Sequence, residues 1–379
     1  MKGILFGKTL VIGIIVLFIG AGVASAFNVN KFESFNKGDI LYVGGSGPGN
    51  YTSIQSAIDA ADSGDTIYVY DDSSPYYENI VIQKSIELMG EDRETTFILG
   101  NENLDGFIVN ISTDDVSMSG FTIQPNLGKP AGIIVNKNYV YPDYWNIDII
   151  QNILIFNNII KNTGNGIFAI RLNNGSIYGN NIENCNGSGI VLFISSNNTI
   201  ENNIISNCYY RGIEISGLWS PFRLKNYKNP KSENNVISHN TINSNRWGIG
   251  LYSGPISTII SDNNITNNHG IFSGNDGIGI KIYQASNTQI IRNNFIDNSQ
   301  NAYFEAACII RYPQFIKNYW KNNYWGELKN NNAQIKGMCF VIPFPRLPFS
   351  ISFPNYDFNF HEVSWLAFDR QPANEPYDI

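Results

Sequence analysis

The side chains with most capacity for chemistry gather around a recurring Gly-Ile dipeptide, found at Gly166, Gly189, Gly212, Gly248 and Gly277. Each one opens a run of alternating apolar residues, the pattern of a short strand with one face buried. With the Ile after each Gly pointing inward, one outward column holds Phe168, Val191, Glu214, Gly250 and Gly279. The next holds Ile170, Phe193, Ser216, Tyr252 and Lys281. Just before the Gly stand Asn165, Ser188, Arg211, Trp247 and Asp276, with Tyr210 and Arg246 one step earlier. Arg, Glu, Trp, Tyr, Asp and Lys thus meet on the later repeats of one face. Two chemistries suit such a set. An Arg or Lys base beside carboxylates that hold a cation cleaves a uronate polysaccharide by elimination, and Ca2+ is then the implied ion. Two or three convergent carboxylates hydrolyse a glycosidic bond. Glu214 and Asp276 are the candidate acids, with Arg211 or Lys281 as the basic partner. Glu214 is the only acid in its column and Asp276 lies two repeats on, so binding is favoured over catalysis. The adjacent pair Asp114-Asp115 reads as a turn.

Aromatic side chains crowd the same region. The interval from 212 to 248 is 36 residues where that from 189 to 212 is 23, and the excess, residues 218–232, carries Trp219 and Phe222. A second insertion, residues 138–148, follows Gly132 and carries Trp145. Both leave the same strand phase, so they should rise from one edge about three coils, or roughly 14 Å, apart. Insertions on one side of a repeat protein often build its binding face. Trp145, Tyr210, Trp219, Phe222, Arg246, Trp247 and Tyr252 are the candidate carbohydrate-binding residues. Aromatic walls stack on sugar rings while polar groups between them meet hydroxyls. The same insertions would also serve to cover the apolar strip of Phe168, Ile170, Val191 and Phe193.

Those residues must be held by a repeating scaffold. An Asn-rich turn with an aliphatic residue recurs at Asn158-Ile159, Asn181-Ile182, Asn203-Ile204, Thr241-Ile242, Asn264-Ile265 and Asn294-Phe295. A further phase recurs at Ser176-Ile177, Thr199-Ile200, Asn235-Val236, Thr258-Ile259 and Gln289-Ile290. Three short strands in roughly 22 residues is the period of a coil of parallel strands, not of a helical repeat. The chain contains 54 Asn. Asn tolerates left-handed backbone and forms side-chain ladders between stacked strands, so many similar corners can use it. Ahead of the repeats, a strand at Ile40–Val43 precedes Ser53, Ile54, Ala57, Ile58 and Ala61, the spacing of one apolar helix face. Such a helix would plug the open end of a solenoid.

The run from Tyr51 to Ala61, then Gly64-Asp65-Thr66-Ile67, Tyr77-Glu78-Asn79-Ile80 and Lys84 to Gly90, resembles the opening of secreted right-handed parallel β-helix proteins. Asn318-Tyr319-Trp320, echoed at Asn323-Tyr324-Trp325-Gly326, resembles a signature of the same group. The resemblance covers roughly residues 40 to 326. It implies the pectin-lyase-like fold, an all-β, single-stranded right-handed solenoid of about ten coils with an N-terminal capping helix. It leaves activity open, because that fold carries lyases, hydrolases, epimerases and adhesins. A likeness to the copper-maturation factors called NosD implies copper handling. Against this, His239, His269 and His361, and Met89, Met118 and Met338, form no cluster, and soft copper sites need convergent Cys, Met or His. No metal site is expected.

The expected division is a signal peptide over residues 1–26, a β-helix over 27–330 and an irregular aromatic and Pro-rich tail over 331–379 packed on the solenoid. Lys2 and Lys8, the apolar stretch from Leu10 to Gly22 and Ala24-Ser25-Ala26 make the secretory pattern. Left uncleaved, it would be an anchor and the sole membrane contact. The address is extracellular or cell-surface either way. A net charge of −7 argues against nucleic acid and leaves a polysaccharide or surface glycan as the expected partner. Cys185 and Cys208 should stack on adjacent coils, as buried thiols or as a disulfide. Sequons at Asn50, Asn110, Asn174, Asn186, Asn197 and Asn264 permit glycosylation.

Overall fold

The computed structural model describes residues 38–101, 106–137, 148–217, 232–269, 277–309, 318–326, 333–342, 361–369 and 371–379. The secretory pattern, both aromatic insertions (138–147 and 218–231) and the Pro cluster of 343–360 lie outside the described residues. Within Gly38–Ile379 the chain winds through three long sheets, parallel except for the strand His361–Asp369, and a short fourth in which Ile150–Gln151 pairs with Leu172–Asn173. Sheet A runs from Ile40–Val43 to Tyr319–Lys321, sheet B from Phe97–Gly100 to Asn294–Ile296, and sheet C from Ile80–Ile82 to His361–Asp369. A complete coil contributes one strand to each of these sheets, so neighbours within a sheet are one coil apart in sequence. The all-β coil read from the repeat is what forms.

Inward positions are filled by one residue type in long columns. Ile155, Ile177, Ile200, Ile237, Ile260 and Ile290 stack in sheet A and are fully or almost fully buried. Ile160, Ile182, Ile205, Ile242, Ile265 and Phe295 do the same in sheet B. β-Branched side chains suit this setting, because their restricted rotamers pack on a pleated surface with little further loss of freedom. The columns differ from the sequence reading by one residue at several rungs. Ile159 and Ile204, not Asn158 and Asn203, pair with Asn181. In sheet A, Val236 and Ile259 take the outward place of Thr199. A one-residue slip exchanges the two faces of a strand, and only the inward Ile ladder settles which residue is which.

A helix, Ile54–Ala60, connects the first two strands of sheet A and buries Ile54, Ala57 and Ile58. Seven residues do not hold a helix in water unaided. Here Ser53 accepts a hydrogen bond from the Ser56 N–H, and the Glu78 carboxylate accepts from the N–H groups of Ile54 (2.8 Å) and Gln55 (2.9 Å). Lys84 Nζ donates to the carbonyls of Asp59 and Ala61 at the other end.

The tail departs from its expected irregularity. Ala333–Ile342 extends sheet C in parallel with Gln300–Ile309, and His361–Asp369 returns antiparallel to it. Both strands lie outside the Pro cluster that dominates the composition of the region, so proline interrupts neither ladder. Cys185 and Cys208 are buried free thiols. Among the described residues, no helix is long and apolar enough to cross a membrane.

Candidate functional site

The face of sheet C turned away from the core carries the chemically varied residues. Its strands Ile190–Phe193, Arg211–Ser216, Trp247–Tyr252, Ile278–Tyr283 and Gln300–Ile309 lie side by side. A column of glycines lets them approach. A Cβ on Gly166, Gly189 or Gly212 would fall 2.5 to 2.8 Å from the carbonyl oxygen of the glycine in the next coil. Gly248 meets Gly279 in this way, not Gly277, so the sequence register is two residues out at this coil. A slip of two preserves inside and outside, so every candidate stays on its face but changes neighbours. The observed columns are Val191, Glu214, Gly250, Lys281 and Tyr303, and beside them Phe193, Ser216, Tyr252, Tyr283 and Glu305.

Two ion pairs lie on this face. Arg211 Nη1 is 2.9 Å from Glu214 Oε2, and Lys281 Nζ is 3.0 Å from Glu305 Oε1. All four side chains are about one-fifth exposed. Ser188 Oγ lies 3.5 Å from the same Glu214 oxygen. The cations rest on aromatic rings. Arg211 Cζ lies 4.3 Å from the Tyr252 centroid and 4.8 Å from that of Trp247. Lys281 Nζ is 5.1 Å from Trp247 and 5.6 Å from Tyr303, and Arg246 Cζ is 5.2 Å from Trp247. Trp247 stacks near Tyr252 at 6.2 Å, and Tyr252 is followed by Tyr283 at 6.4 Å. Gly250 makes the arrangement possible. A Cβ there would run into the Tyr252 ring and sit 3.0 Å from Arg211 Cδ.

The electrostatics follow from this packing. Burial opposes the charge of Arg211, but Glu214 and Tyr252 together outweigh it and hold the guanidinium above its ordinary pKa. Burial pushes the Tyr252 phenol up to about 12 against the pull of Arg211. The Tyr252 hydroxyl and Arg211 Nε are buried without a partner at hydrogen-bonding geometry. The rings expected to stack on a ligand are therefore largely occupied by the protein's own cations. What the face presents is a fixed row of paired carboxylates and cations over an aromatic floor.

The structure thus brings together Arg211, Glu214, Lys281, Arg246, Trp247 and Tyr252. Tyr210, whose carbonyl accepts from the Trp247 N–H, is 44% exposed, with its ring edge-on to Tyr209 at 5.0 Å. Asp276, Trp145, Trp219 and Phe222 lie outside the described residues. The two insertions leave from strands Ala131–Val135 and Arg211–Ser216, three steps apart in sheet C. Of the apolar strip, Ile170 and Val191 are buried. Sequence reasoning missed Glu305, Tyr303 and Tyr283. Gln300–Ile309 carries Asn301-Ala302 where earlier coils carry Gly-Ile, so the motif that located the other rungs is missing. Asn298, 30 residues after Asn268 and donating to the Ile265 carbonyl, is the surviving sign of that rung.

Asp115 takes the left-handed backbone of a turn (φ 57°), and Asp114 binds Lys137 at 2.9 Å. Ca2+ does not fit the described part of the face, because Glu214 and Glu305 are each held by a cation. Among the described residues, no group of three or more His, Cys, Asp or Glu is placed to hold a metal ion. His239 faces Glu201 at 3.4 Å, and His269 Nδ1 lies 3.2 Å from Ser299 Oγ.

A family described as right handed beta helix region matches residues 105–278. No curated protein sequence matches the chain significantly. Among solved structures, the chain is similar to the A-module of the Azotobacter vinelandii mannuronan C-5 epimerase AlgE6. That match has 17% identity over 73% of this chain and 82% of that one, with a TM-score of 0.46. It is also similar to an alginate lyase from Paenibacillus sp. str. FPU-7 (14% identity, 76% of this chain and 95% of that one, TM-score 0.41). A third is the pectate lyase Pel9A (12% identity, 76% and 70%, TM-score 0.42). With parallel strands stacked coil on coil through Arg211, Glu214 and Trp247, the chain folds as a right-handed parallel β-helix.

Proposed function

We propose that this protein binds a polysaccharide across the outer face of sheet C, as an exported or cell-surface β-helix. The supporting observation is the pair of ion pairs, at 2.9 and 3.0 Å, laid on the rings of Tyr252, Trp247 and Tyr303. Groups fixed before the ligand arrives lose little freedom on binding. Glu214 and Lys281 stand two coils apart in their column, about 10 Å, which suits an extended ligand crossing several coils. Carboxylates accept from sugar hydroxyls, while Arg and Lys donate to ring and hydroxyl oxygens. The chain's overall negative charge disfavours nucleic acid as the occupant.

Binding fits the face better than catalysis does. Glu214 is engaged by Arg211, and its candidate partner acid Asp276 is outside the described residues, so no described pair of free carboxylates stands ready for hydrolysis. The test is titration of the full chain with a panel of acidic and neutral oligosaccharides, followed by Trp fluorescence with Trp247→Phe as the reference. At least one is expected to bind, and about tenfold more weakly to Arg211→Ala, the loss of a charge-assisted contact. Absence of binding across the panel overturns the reading. Release of unsaturated or reducing ends that vanishes in Glu214→Gln replaces it with a lyase or hydrolase.

A further inference from the structure

A second aromatic cluster lies on the outer face of sheet A, in the first coils, and differs from the first in one respect. Strand Ile40–Val43 pairs in parallel with Thr66–Val69, setting Tyr42 beside Tyr68. The Tyr42 ring stacks on Tyr70 at 5.9 Å and 20°. Tyr68 meets Tyr70 edge-on at 5.1 Å and Tyr42 at 6.2 Å. Gly45 walls the far side, since a Cβ there would lie 2.8 Å from the Tyr70 ring. Ile40 and Tyr42, both outward on the edge strand, are 55% and 39% exposed. Among the described residues, no Lys or Arg stands over these three rings, whereas those of Trp247 and Tyr252 are covered by the protein's own cations.

The surroundings are acidic. Glu91 Oε2 accepts from the Asp71 N–H at 3.1 Å, Asp71 Oδ2 accepts from Thr95 Oγ1 at 2.7 Å, and Asp72 Oδ1 accepts from the Gly45 N–H at 3.0 Å. These bonds fix the carboxylates beside the rings without neutralising them. No ion pair to Glu91, Asp71 or Asp72 occurs among the described residues. Burial, and after it the charge of Glu91, push the Tyr68 phenol up to about 12. Electron-rich ring faces, unpaired carboxylates and an exposed flat apolar edge occur together. That combination complements a cation carried on a flat, partly apolar body.

We propose that Tyr42, Tyr68 and Tyr70 with Glu91 form a second binding site, for a cationic amino-sugar unit of the glucosamine type. The sugar ring lies on the exposed Tyr42 and Ile40 surface, and its ammonium group faces Glu91 and Asp71. A lysine ammonium on its flexible stem would answer the charge but leave that flat surface uncovered. The sugar ring answers both. This site is independent of the sheet C face, and either can fail without the other.

The experiment is calorimetric titration of the full chain with glucosamine hexamer, N-acetylglucosamine hexamer and hexalysine. Glucosamine hexamer is expected to bind, about tenfold more tightly than the acetylated oligomer, and to weaken as salt rises. Tyr42→Leu and Glu91→Gln should each weaken it about fivefold or more, while Tyr42→Phe, which keeps the ring, should not. Arg211→Ala should leave it unchanged. Equal affinity for the acetylated oligomer, hexalysine binding as tightly, no response to Tyr42→Leu, or loss in Arg211→Ala each overturns the proposal.

Discussion

At the residue scale, the Asn-Asn dipeptides divide two tasks. The first Asn turns the corner in left-handed backbone, as at Asn157 (φ 51°), Asn202 (φ 54°) and Asn322 (φ 56°). The second is buried and joins a ladder of side-chain amides. Asn158, Asn180, Asn203, Asn240, Asn263, Asn293 and Asn323 each accept on Oδ1 from the preceding rung. Asn240 Nδ2 also donates to the carbonyls of Ile200 and Ser238, both at 2.9 Å. Asn240→Ala strands several buried groups at once, each costing about 1–3 kcal/mol. A clear drop in the denaturation midpoint should follow, and a surface Asn such as Asn186 should show none. Tyrosines give a pH test. Tyr252 and Tyr76 are held neutral up to about 12, while the unfolded chain ionises them near 10. Their contribution is complete below pH 10 and is lost as pH rises from 10 through 12. Urea midpoints should therefore fall across that window, and by less in Tyr252→Phe. Asn-Asn pairs can be recognised as corners by eye. The rungs preceded by Gly179, His239, Asp262 or Arg292 cannot, because there the left-handed residue is not Asn.

At the element scale, each strand is too short to set its own register, and close approach between coils does it. Gly212→Ala would place a Cβ 2.5 Å from Ile242 Cγ2 and 2.8 Å from the Gly248 carbonyl. We expect it to lower the thermal midpoint by several degrees, read by circular dichroism. Gly250→Ala probes something else, because its neighbours are side-chain atoms of Arg211 and Tyr252 and not backbone. It should leave the fold intact and weaken oligosaccharide binding, so a variant that binds normally would show that the Arg211–Tyr252 contact is dispensable. The Gly-Ile motif led to these strands but put Gly277 where Gly279 belongs. Two glycines two residues apart carry the same alternation, and only the carbonyl of the facing coil distinguishes them.

At the scale of the whole molecule, the ladder needs an end. The last rung, Asn323, donates its N–H (2.9 Å) and Nδ2 (3.0 Å) to Oδ2 of Asp369, which also accepts from Trp325 Nε1 (3.2 Å). An Asn there would bring two more donors in need of acceptors, whereas a carboxylate needs none. The following residues complete the closure. The Ala373 N–H donates to the Asn323 carbonyl, Tyr377 exchanges hydrogen bonds with the Asn294 side chain, and its hydroxyl donates to the Asn322 carbonyl. Asp369→Ala is expected to loosen this end and promote self-association, seen as larger species in light scattering, because an uncovered strand end pairs with other chains. An unchanged monomer fraction would count against that.

Spacing and composition determined the coil, its three strands per turn, the Ile core and the face that gathers Arg211, Glu214, Trp247, Tyr252 and Lys281. Those follow from periodicity, which is local and repeats often enough to be read. Three matters were decided by the tertiary structure: that Lys281 pairs with Glu305, that Arg211 lies over Tyr252, and that Asp369 ends the Asn ladder. Each joins residues from different coils, and the Lys281 and Asp369 contacts fall at rungs where the motif is broken. Such contacts depend on which backbones pack against each other, and a repeat pattern carries no record of that at the places where it stops repeating.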